Sequence, residues 1–319
     1  MTNEINFGIA GACGAFGTKH LEAFENINGA NVLAISDSNL KRLDATAQKF
    51  CVNQTFQNVD EMLELENLDA VILATPTPDH FFHGMNAMDF GKHVLIEIPM
   101  ADNLEHSELL CAKQKETGLV AMVDHVRRFN PSHQFINNKV KAGEYIIQQM
   151  DIQTYFFRRT NINAKGEPRT WTDHLLWHHA CHSIDLFMYQ TGEDIVEIYG
   201  IQGQRDKKLG ISLDMSIIMK TCLGKICTLS LSFNNDGPLG SVFRYIGNTG
   251  TFVAQYDQLE DGYGIPIDLS NIAVSSNGIE LIDREFVASI KEGREPKSSV
   301  HSCLPAMKVM HKLEQQMTV

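Results

Sequence analysis

No stretch of this 319-residue chain is apolar for long enough to cross a bilayer. Its first residues, Met1-Thr2-Asn3-Glu4-Ile5, lack the charged-then-apolar pattern of a secretory signal. A cytoplasmic protein with no membrane partner is the expectation. Basic residues are scarce as well: 27 Lys and Arg stand against 39 Asp and Glu, a formal charge of −12. With no basic run and no interleaved aromatic stripe, nucleic acid is excluded as a partner. The seven cysteines are an odd number and never fall in Cys-x-x-Cys spacing, which fits reduced thiols rather than a disulfide framework. Internal repeats and low-complexity segments are absent too. What remains is a chain long enough for two domains, each with a core of its own.

What is present begins at once. Apolar Ile5, Phe7 and Ile9 run into Gly11-Ala12-Cys13-Gly14-Ala15-Phe16-Gly17, and Thr18-Lys19-His20-Leu21 then starts a helix. A strand, a glycine-rich turn and a helix N-terminus make a seat for a pyrophosphate, because bare backbone allows close approach and free amides face the anion. The spacing is Gly-x-x-Gly-x-x-Gly, with Ala12 where the first glycine of the usual dinucleotide fingerprint would stand. A glycine pattern alone is a weak signal, equally met in ordinary strand-to-helix turns. Asp37 strengthens it by closing the next strand about 20 residues beyond the last glycine, where an acid bonds a ribose hydroxyl. A nicotinamide dinucleotide is the expected cofactor. Residues 11, 12 and 14–17 with Asp37 and Ser38 are its first candidate contacts.

The first third alternates short apolar runs (5–10, 31–36, 70–74, 93–96, 120–123) with helical ones (18–26, 40–50, 59–64, 79–90, 104–115). Near-continuous Val/Ile/Leu strands imply cover on both faces, hence a doubly wound parallel sheet. Ligands in such sheets bind beyond the carboxyl ends of the strands, which puts Thr75-Pro76-Thr77 and Glu97-Ile98-Pro99 at the site. After residue 125 the pattern changes. A helix over 131–141, a long strand over 147–157 and a helix over 173–189 precede runs at 195–202, 211–220, 226–233 and 243–255. Their alternation predicts an open, mainly antiparallel sheet, and helices over 283–292 and 302–316 close the chain. The fold class is therefore α/β: a Rossmann domain over 1–125, then a second α/β domain over 126–319 for substrate and oligomer contacts. The terminal helix is a candidate to fold back on the first domain.

Two groups of residues could do chemistry. In Trp171-Thr172-Asp173-His174-Leu175-Leu176-Trp177-His178-His179-Ala180-Cys181-His182, the histidines 174, 178 and 182 lie four apart, on one face of a helix, with Asp185 three beyond. Such spacing can serve a metal, but zinc needs a further ligand of defined geometry. Acid–base work by an imidazole suits the same face, so no metal is expected. For any single histidine, packing or solvation is the commoner role. The second group is Arg127, Arg128, Arg158, Arg159, Arg169 and Arg244, whose guanidinium forks suit carboxylates, although a surface or interdomain ion pair is an equally common role for any one of them. Neighbours on a strand face opposite ways, so only one of Arg158 and Arg159 can reach a given cleft.

The glycine loop, Thr75-Pro76-x-x-x-His80, Gly91-Lys92-His93-Val94 leading to Glu97-Ile98-Pro99, and His182-x-x-Asp185-Leu186 together resemble the glucose–fructose oxidoreductase/inositol dehydrogenase (Gfo/Idh/MocA) family along the whole chain. The resemblance implies a homodimer or homotetramer built through the open sheet. It also adds Thr75, Pro76, Thr77, His80 and Glu97 to the cofactor contacts. Two positions depart from the family pattern. Ile98 replaces the lysine of Glu-Lys-Pro, and His178 and Ala180 replace the Asp and Gly of Asp-x-Gly-x-His, with His182 retained.

These departures, with stretches 123–133, 149–159, 163–169, 171–185 and 228–240, resemble one subgroup, the 4-carboxy-2-hydroxymuconate-6-semialdehyde dehydrogenases of protocatechuate 4,5-cleavage. The resemblance implies oxidation of a cyclic hemiacetal to 2-pyrone-4,6-dicarboxylate. An anomeric hydroxyl is acidic enough for a neutral imidazole to deprotonate without a lysine. His182 is then the expected base and His178 its orienting or relaying partner. Asp185 either fixes the tautomer or anchors the helix. Arg127, Arg128, Arg158, Arg159, Trp171 and His179 are the expected contacts of a small anionic dicarboxylate substrate. The subgroup implies NADP whereas Asp37 favours NAD, so either is allowed. Oxidation of a sugar or cyclitol hydroxyl, or a non-catalytic NAD(P) sensor, are the competing readings.

Overall fold

The computed structural model describes residues 4–317 except 163–165, 167 and 170. The start of the chain, Met1–Asn3, and four residues of the 163–169 stretch (Asn163, Ala164, Lys165 and Glu167) lie outside the described residues, as do Thr170, Thr318 and Val319. The chain forms two compact units, 1–125 with 275–304, and 126–274 with 305–319.

The first unit holds a six-stranded parallel sheet. Its strands are β1 (Ile5–Ala10), β2 (Ala30–Ser36), β3 (Gln54–Phe56), β4 (Ala70–Leu73), β5 (His93–Ile96) and β6 (Ala121–Val123), in the order β3-β2-β1-β4-β5-β6. The order reverses beside β1, so the crevice for a dinucleotide opens at the carboxyl end of that strand. The three-residue β3 escaped the sequence reading because Gln54-Thr55-Phe56 is too short to show a period. The strands alternate with helices α1 (Ala15–Phe24), α2 (Leu40–Phe50), α3 (Val59–Leu63), α4 (Thr77–Asp89) and α5 (Leu104–Thr117). Asn39, Asn58 and Asn103 cap α2, α3 and α5 through their side chains. Gly84 lets α4 sit tight on its neighbours, since a Cβ there would come within 2.9 Å of Ile96 and Leu110 side-chain atoms.

Residues 275–304 were expected in the second domain, and the structure corrects this. Helix α8 (Glu280–Glu292) lies against α1. Its Phe286 meets Phe7 of β1 edge-on, ring centroids 5.8 Å apart, with Phe24 of α1 at 4.7 Å on the same ring. Burying one such side chain contributes about 1.5–3 kcal/mol. Arg284 and Lys291 donate to the carbonyls of Asn26 and Asn28, and Asn277 to that of Lys19. No local pattern in 275–304 encodes partners some 260 residues away.

The second unit opens with a 3₁₀ turn, Val126–Arg128, and α6 (Pro131–Lys141). It is built on seven strands: β7 (Ile147–Tyr155), β8 (Ile195–Gln202), β9 (Asp214–Thr221), β10 (Ile226–Ser232), β11 (Gly240–Gly247), β12 (Gly250–Gln255) and β13 (Gln258–Asp261). Their order is β13-β12-β11-β7-β10-β9-β8. Every pair is antiparallel except β7–β10. Met150 and Ile152, Met215, Ile217 and Met219, and Cys227, Leu229 and Leu231 are buried on one face, as period-2 alternation requires. On the β8 edge Tyr199 and Ile201 are 70% and 73% exposed. A π-helical segment, Leu175–Ala180, runs directly into α7 (Cys181–Thr191). The division between the units falls inside α9 (Val300–Met317), at Pro305, where the helix lacks a backbone donor. Among the described residues no helix is long and apolar enough to cross a membrane.

Candidate active site

In the first unit the glycine loop is a cradle that side chains would fill. Gly11 turns at φ +71°, and a Cβ there would lie 2.3 Å from the carbonyl oxygen of Ala74. A Cβ on Gly17 would lie 2.2 Å from the carbonyl oxygen of Gly11, so α1 can start against the loop only with glycine at that position. Gly14 caps α1 with no side-chain bond, which leaves the helix's first amides for a ligand. Ala15 and Phe16 stand exposed on that first turn. Ala12 departs from the expectation of a cofactor contact. It is fully buried, and its N–H donates to the carbonyl of Ser36 beside that of Gly11. Asp37 follows β2 directly with both oxygens anchored, Oδ2 accepting from Cys13 N–H at 3.0 Å and Oδ1 from Asn39 N–H at 2.9 Å. Ser38 beside it is exposed. Bare backbone, a free helix N-terminus and a fixed carboxylate fit a dinucleotide.

After β4, Thr75 is half-buried, Pro76 exposed and Thr77 buried. His80 was expected to touch cofactor, but it is buried and its ring lies between two carbonyl oxygens, Nδ1 2.8 Å from Pro99 O and Nε2 2.9 Å from Thr75 O. It ties the loop after β4 to the loop after β5 and acts on the site by positioning them. Glu97 is half-buried, and its Oε1 faces a polar cluster absent from the sequence reading. His20 of α1 lies 2.8 Å by Nδ1 from Asp283 Oδ1, while its Nε2 is 3.8 Å from Glu97 Oε1 and 3.7 Å from Asp124 Oδ2. Burial alone would lower the imidazole, but Asp283, Glu97 and Asp124 outweigh it and hold His20 well above its usual range. Burial, with Glu97 close by, pushes Asp124 well up, and burial raises Asp283. Asp124 follows β6 directly, a position that marks site residues in such sheets. Asp283 has no local signal at all.

In the second unit the histidines do not form a single helical stripe. The helix starts at Leu175 rather than 173, in π geometry, and a π segment turns through more residues than four. His174 is its N-cap: Nδ1 accepts from Leu176 N–H at 3.1 Å, and burial lowers its pKa. The His174 N–H donates in turn to Nδ1 of His178, at 2.9 Å. A neutral His178 therefore carries its proton on Nε2, as a donor. Its ring stacks on Trp171 with centroids 4.8 Å apart, and the Arg169 guanidinium lies 5.0 Å from the same indole. His182 sits half-buried in the first turn of α7.

Asp173 gathers this region. Its Oδ2 accepts from Arg158 at 2.5 Å and from Arg169 at 2.9 Å, and its Oδ1 is 3.3 Å from His179 Nε2 and 3.9 Å from His178 Nδ1. Burial would raise this carboxyl, but His179, His178 and Arg158 hold it well below the usual range. His179 is flanked by Phe156 and Phe233. Strand β7 ends at Tyr155, so Arg158 and Arg159 lie beyond it and strand alternation does not decide between them. The first is mostly buried on Asp173, whereas the second is exposed, lies over Phe157 and donates to the carbonyls of Arg158 and Phe233. Arg127 lies over Tyr256 with its Nη1 on Asn130. Arg128, expected to grip substrate, is instead buried in a two-pronged pair with Asp185, Nε to Oδ2 at 2.8 Å and Nη2 to Oδ1 at 2.6 Å. Asp185 therefore anchors α7 to the turn that opens the unit.

The comparisons with known proteins agree with this construction. Residues 5–125 match the model for the oxidoreductase family with an NAD-binding Rossmann fold, and residues 131–273 match the C-terminal model of bacterial oxidoreductases. The chain is 53% identical over 313 residues to a 4-carboxy-2-hydroxymuconate-6-semialdehyde dehydrogenase of Sphingobium sp. (strain NBRC 103272 / SYK-6), covering 98% of this chain and 99% of that one. It is 25% identical over 204 residues to a scyllo-inositol 2-dehydrogenase (NAD(+)) of Bacillus subtilis, covering 63% and 58% of the two chains. The WlbA dehydrogenase of Bordetella pertussis, solved with NADH and UDP-GlcNAcA, superposes with a TM-score of 0.86 at 19% identity, covering 99% of this chain and 96% of that one; at that identity the likeness concerns the fold. With both halves matched in order and a full-length relative at this identity, the chain belongs to the Gfo/Idh/MocA oxidoreductase family, whose N-terminal unit is an NAD-binding Rossmann fold.

Proposed function

We propose that this chain is an NAD(P)-dependent dehydrogenase that oxidises the cyclic hemiacetal of 4-carboxy-2-hydroxymuconate-6-semialdehyde to 2-pyrone-4,6-dicarboxylate. The observation that carries the reading is the full-length 53% identity to a dehydrogenase of that name, with Ile98, His178 and Ala180 at the positions where the family pattern changes and His182 retained. A nicotinamide dinucleotide held by the glycine loop and Asp37 would supply the hydride acceptor for oxidation at the anomeric carbon. His182 takes the hydroxyl proton as the carbonyl forms. His178, held by the backbone as an Nε2–H donor, orients the hydroxyl oxygen rather than competing as a base. Arg127 and Arg158 supply positive charge for the carboxylates, with Arg159 nearer solvent, and Trp171 and His179 bound the planar ring.

Residues 11, 14–17, Asp37, Ser38, Thr75, Pro76, Thr77 and Glu97 hold the dinucleotide. The carboxylate of Asp37 opposes a 2′-phosphate, so NAD is the better of the two cofactors. A homodimer or homotetramer built through the open sheet face, whose β8 edge leaves Tyr199 and Ile201 uncovered, completes the proposal. A cytoplasmic location belongs to the same proposal, on the odd number and scattered spacing of the seven cysteines. The deciding experiment supplies the ring-cleavage product of protocatechuate, myo-inositol and glucose to the purified protein and follows reduced-nicotinamide absorbance. Turnover of the semialdehyde alone supports the reading. Turnover of a sugar or cyclitol alone, or of none, overturns it.

A further inference from the structure

We infer that Arg158 and Arg169, yoked by Asp173, form a subsite for one carboxylate of a planar dicarboxylate ligand, with Asp173 as its positioning residue. The inference rests on the proposed substrate for the identity of the ligand but not for the existence of the subsite. Two guanidinium groups share a single carboxylate oxygen, Asp173 Oδ2, and Asp173 is the acid hydrogen-bonded to either of them among the described residues. Two positive charges against one negative leave a local surplus, on a chain whose formal charge is −12. Each arginine uses one arm of its fork on Asp173. The other arm of Arg158, Nη1, is buried with no hydrogen-bond partner among the described residues, a state that costs free energy unless something accepts from it. The Arg158 guanidinium lies over Phe233 and that of Arg169 over Trp171, so both planes are fixed by aromatic faces.

The surroundings specify the ligand further. Trp171 stacks on His178 and lies under the Arg169 guanidinium, so an aromatic wall adjoins the surplus charge. A flat ring carrying a carboxylate matches that combination, because the ring can use the aromatic wall while the carboxylate accepts from Arg158 Nη1. Without Asp173 the two like charges would repel, and the fork spacing would be lost.

The test uses the full-length protein saturated with reduced cofactor and two probes, isophthalate and benzoate, measured by calorimetry. Isophthalate carries two carboxylates meta on a six-membered ring and benzoate carries one. Arg169→Gln, on a partly exposed side chain that leaves the core untouched, should weaken isophthalate by about 10- to 100-fold, the range for losing one charged hydrogen bond. Benzoate should change much less, so the ratio between the two probes collapses. Asp173→Asn should weaken isophthalate as well, and in turnover it should raise KM more than it lowers kcat. An isophthalate-to-benzoate ratio equal in wild type and Arg169→Gln overturns the subsite, even where the semialdehyde is turned over normally. A collapsed ratio upholds it, even where the semialdehyde proves not to be the substrate.

Discussion

Removing one partner of the Arg128–Asp185 pair tests whether Asp185 anchors the fold or tunes the base three residues before it. The pair is bidentate, with contacts of 2.8 and 2.6 Å, and the two residues are only 4% and 1% exposed. The guanidinium also lies 4.6 Å from the Tyr189 ring centroid. Asp185→Asn keeps the shape but leaves a guanidinium charge unneutralised where water cannot screen it, a loss of about 3–5 kcal/mol. Replacing both partners, Arg128→Met with Asp185→Leu, removes both charges and should restore most of that loss, since well-packed apolar replacements of buried pairs are commonly neutral or better. The assay is urea unfolding followed by fluorescence, with kcat measured in parallel at a temperature where every variant is folded. A lower midpoint for Asp185→Asn, recovery in the double variant and kcat within about threefold of wild type are expected. A kcat reduced about 100-fold at an unchanged midpoint would refute the anchoring role and return Asp185 to the catalytic imidazole.

His182→Ala should cut turnover by about 10²-fold or more with dinucleotide affinity intact, as read by quenching of cofactor fluorescence; near-normal turnover would remove His182 as the base. Asp37→Ser should raise the NADP-to-NAD ratio of kcat/KM, and an unchanged ratio would place Asp37 away from the ribose. The buried cluster of His20, Asp124 and Asp283 has a pH signature. All three hold protons more tightly than their ordinary values of 6.5 and 3.8. The folded chain then binds more protons than the unfolded one, so this contribution to stability falls as pH rises, from 3.8 upward for the acids and from 6.5 upward for His20. Asp124→Asn should flatten the fall in unfolding midpoint between about pH 4 and 7; an unaltered slope would mean Asp124 does not share in the cluster's protons.

Much of the fold was legible because its signals are local. The strand–glycine–helix start, the alternation of apolar runs with helices and the change of pattern after residue 125 each occupy a short window, and α2 and α6 agree residue for residue with the sequence reading. The errors have identifiable causes. β3 and β13 are too short to show a period. A spacing of four implied one histidine face, but a π segment and the capping role of His174 redistribute those rings. Arg128 could be ranked with the other arginines only because its acid partner stands 57 positions away.

The sequence alone determined that a dinucleotide-binding α/β unit opens the chain, because backbone sterics at Gly11 and Gly17 and the apolar period of the strands are properties of near neighbours. It also singled out the residue types able to move a proton or hold a carboxylate. Only the tertiary structure decided which of those side chains are committed to one another: Arg128 to Asp185, Arg158 and Arg169 to Asp173, His20 to Asp283, and His80 to two carbonyls. Charge pairing in a buried setting depends on distance through space, and folding brings together groups that the order of residues leaves far apart.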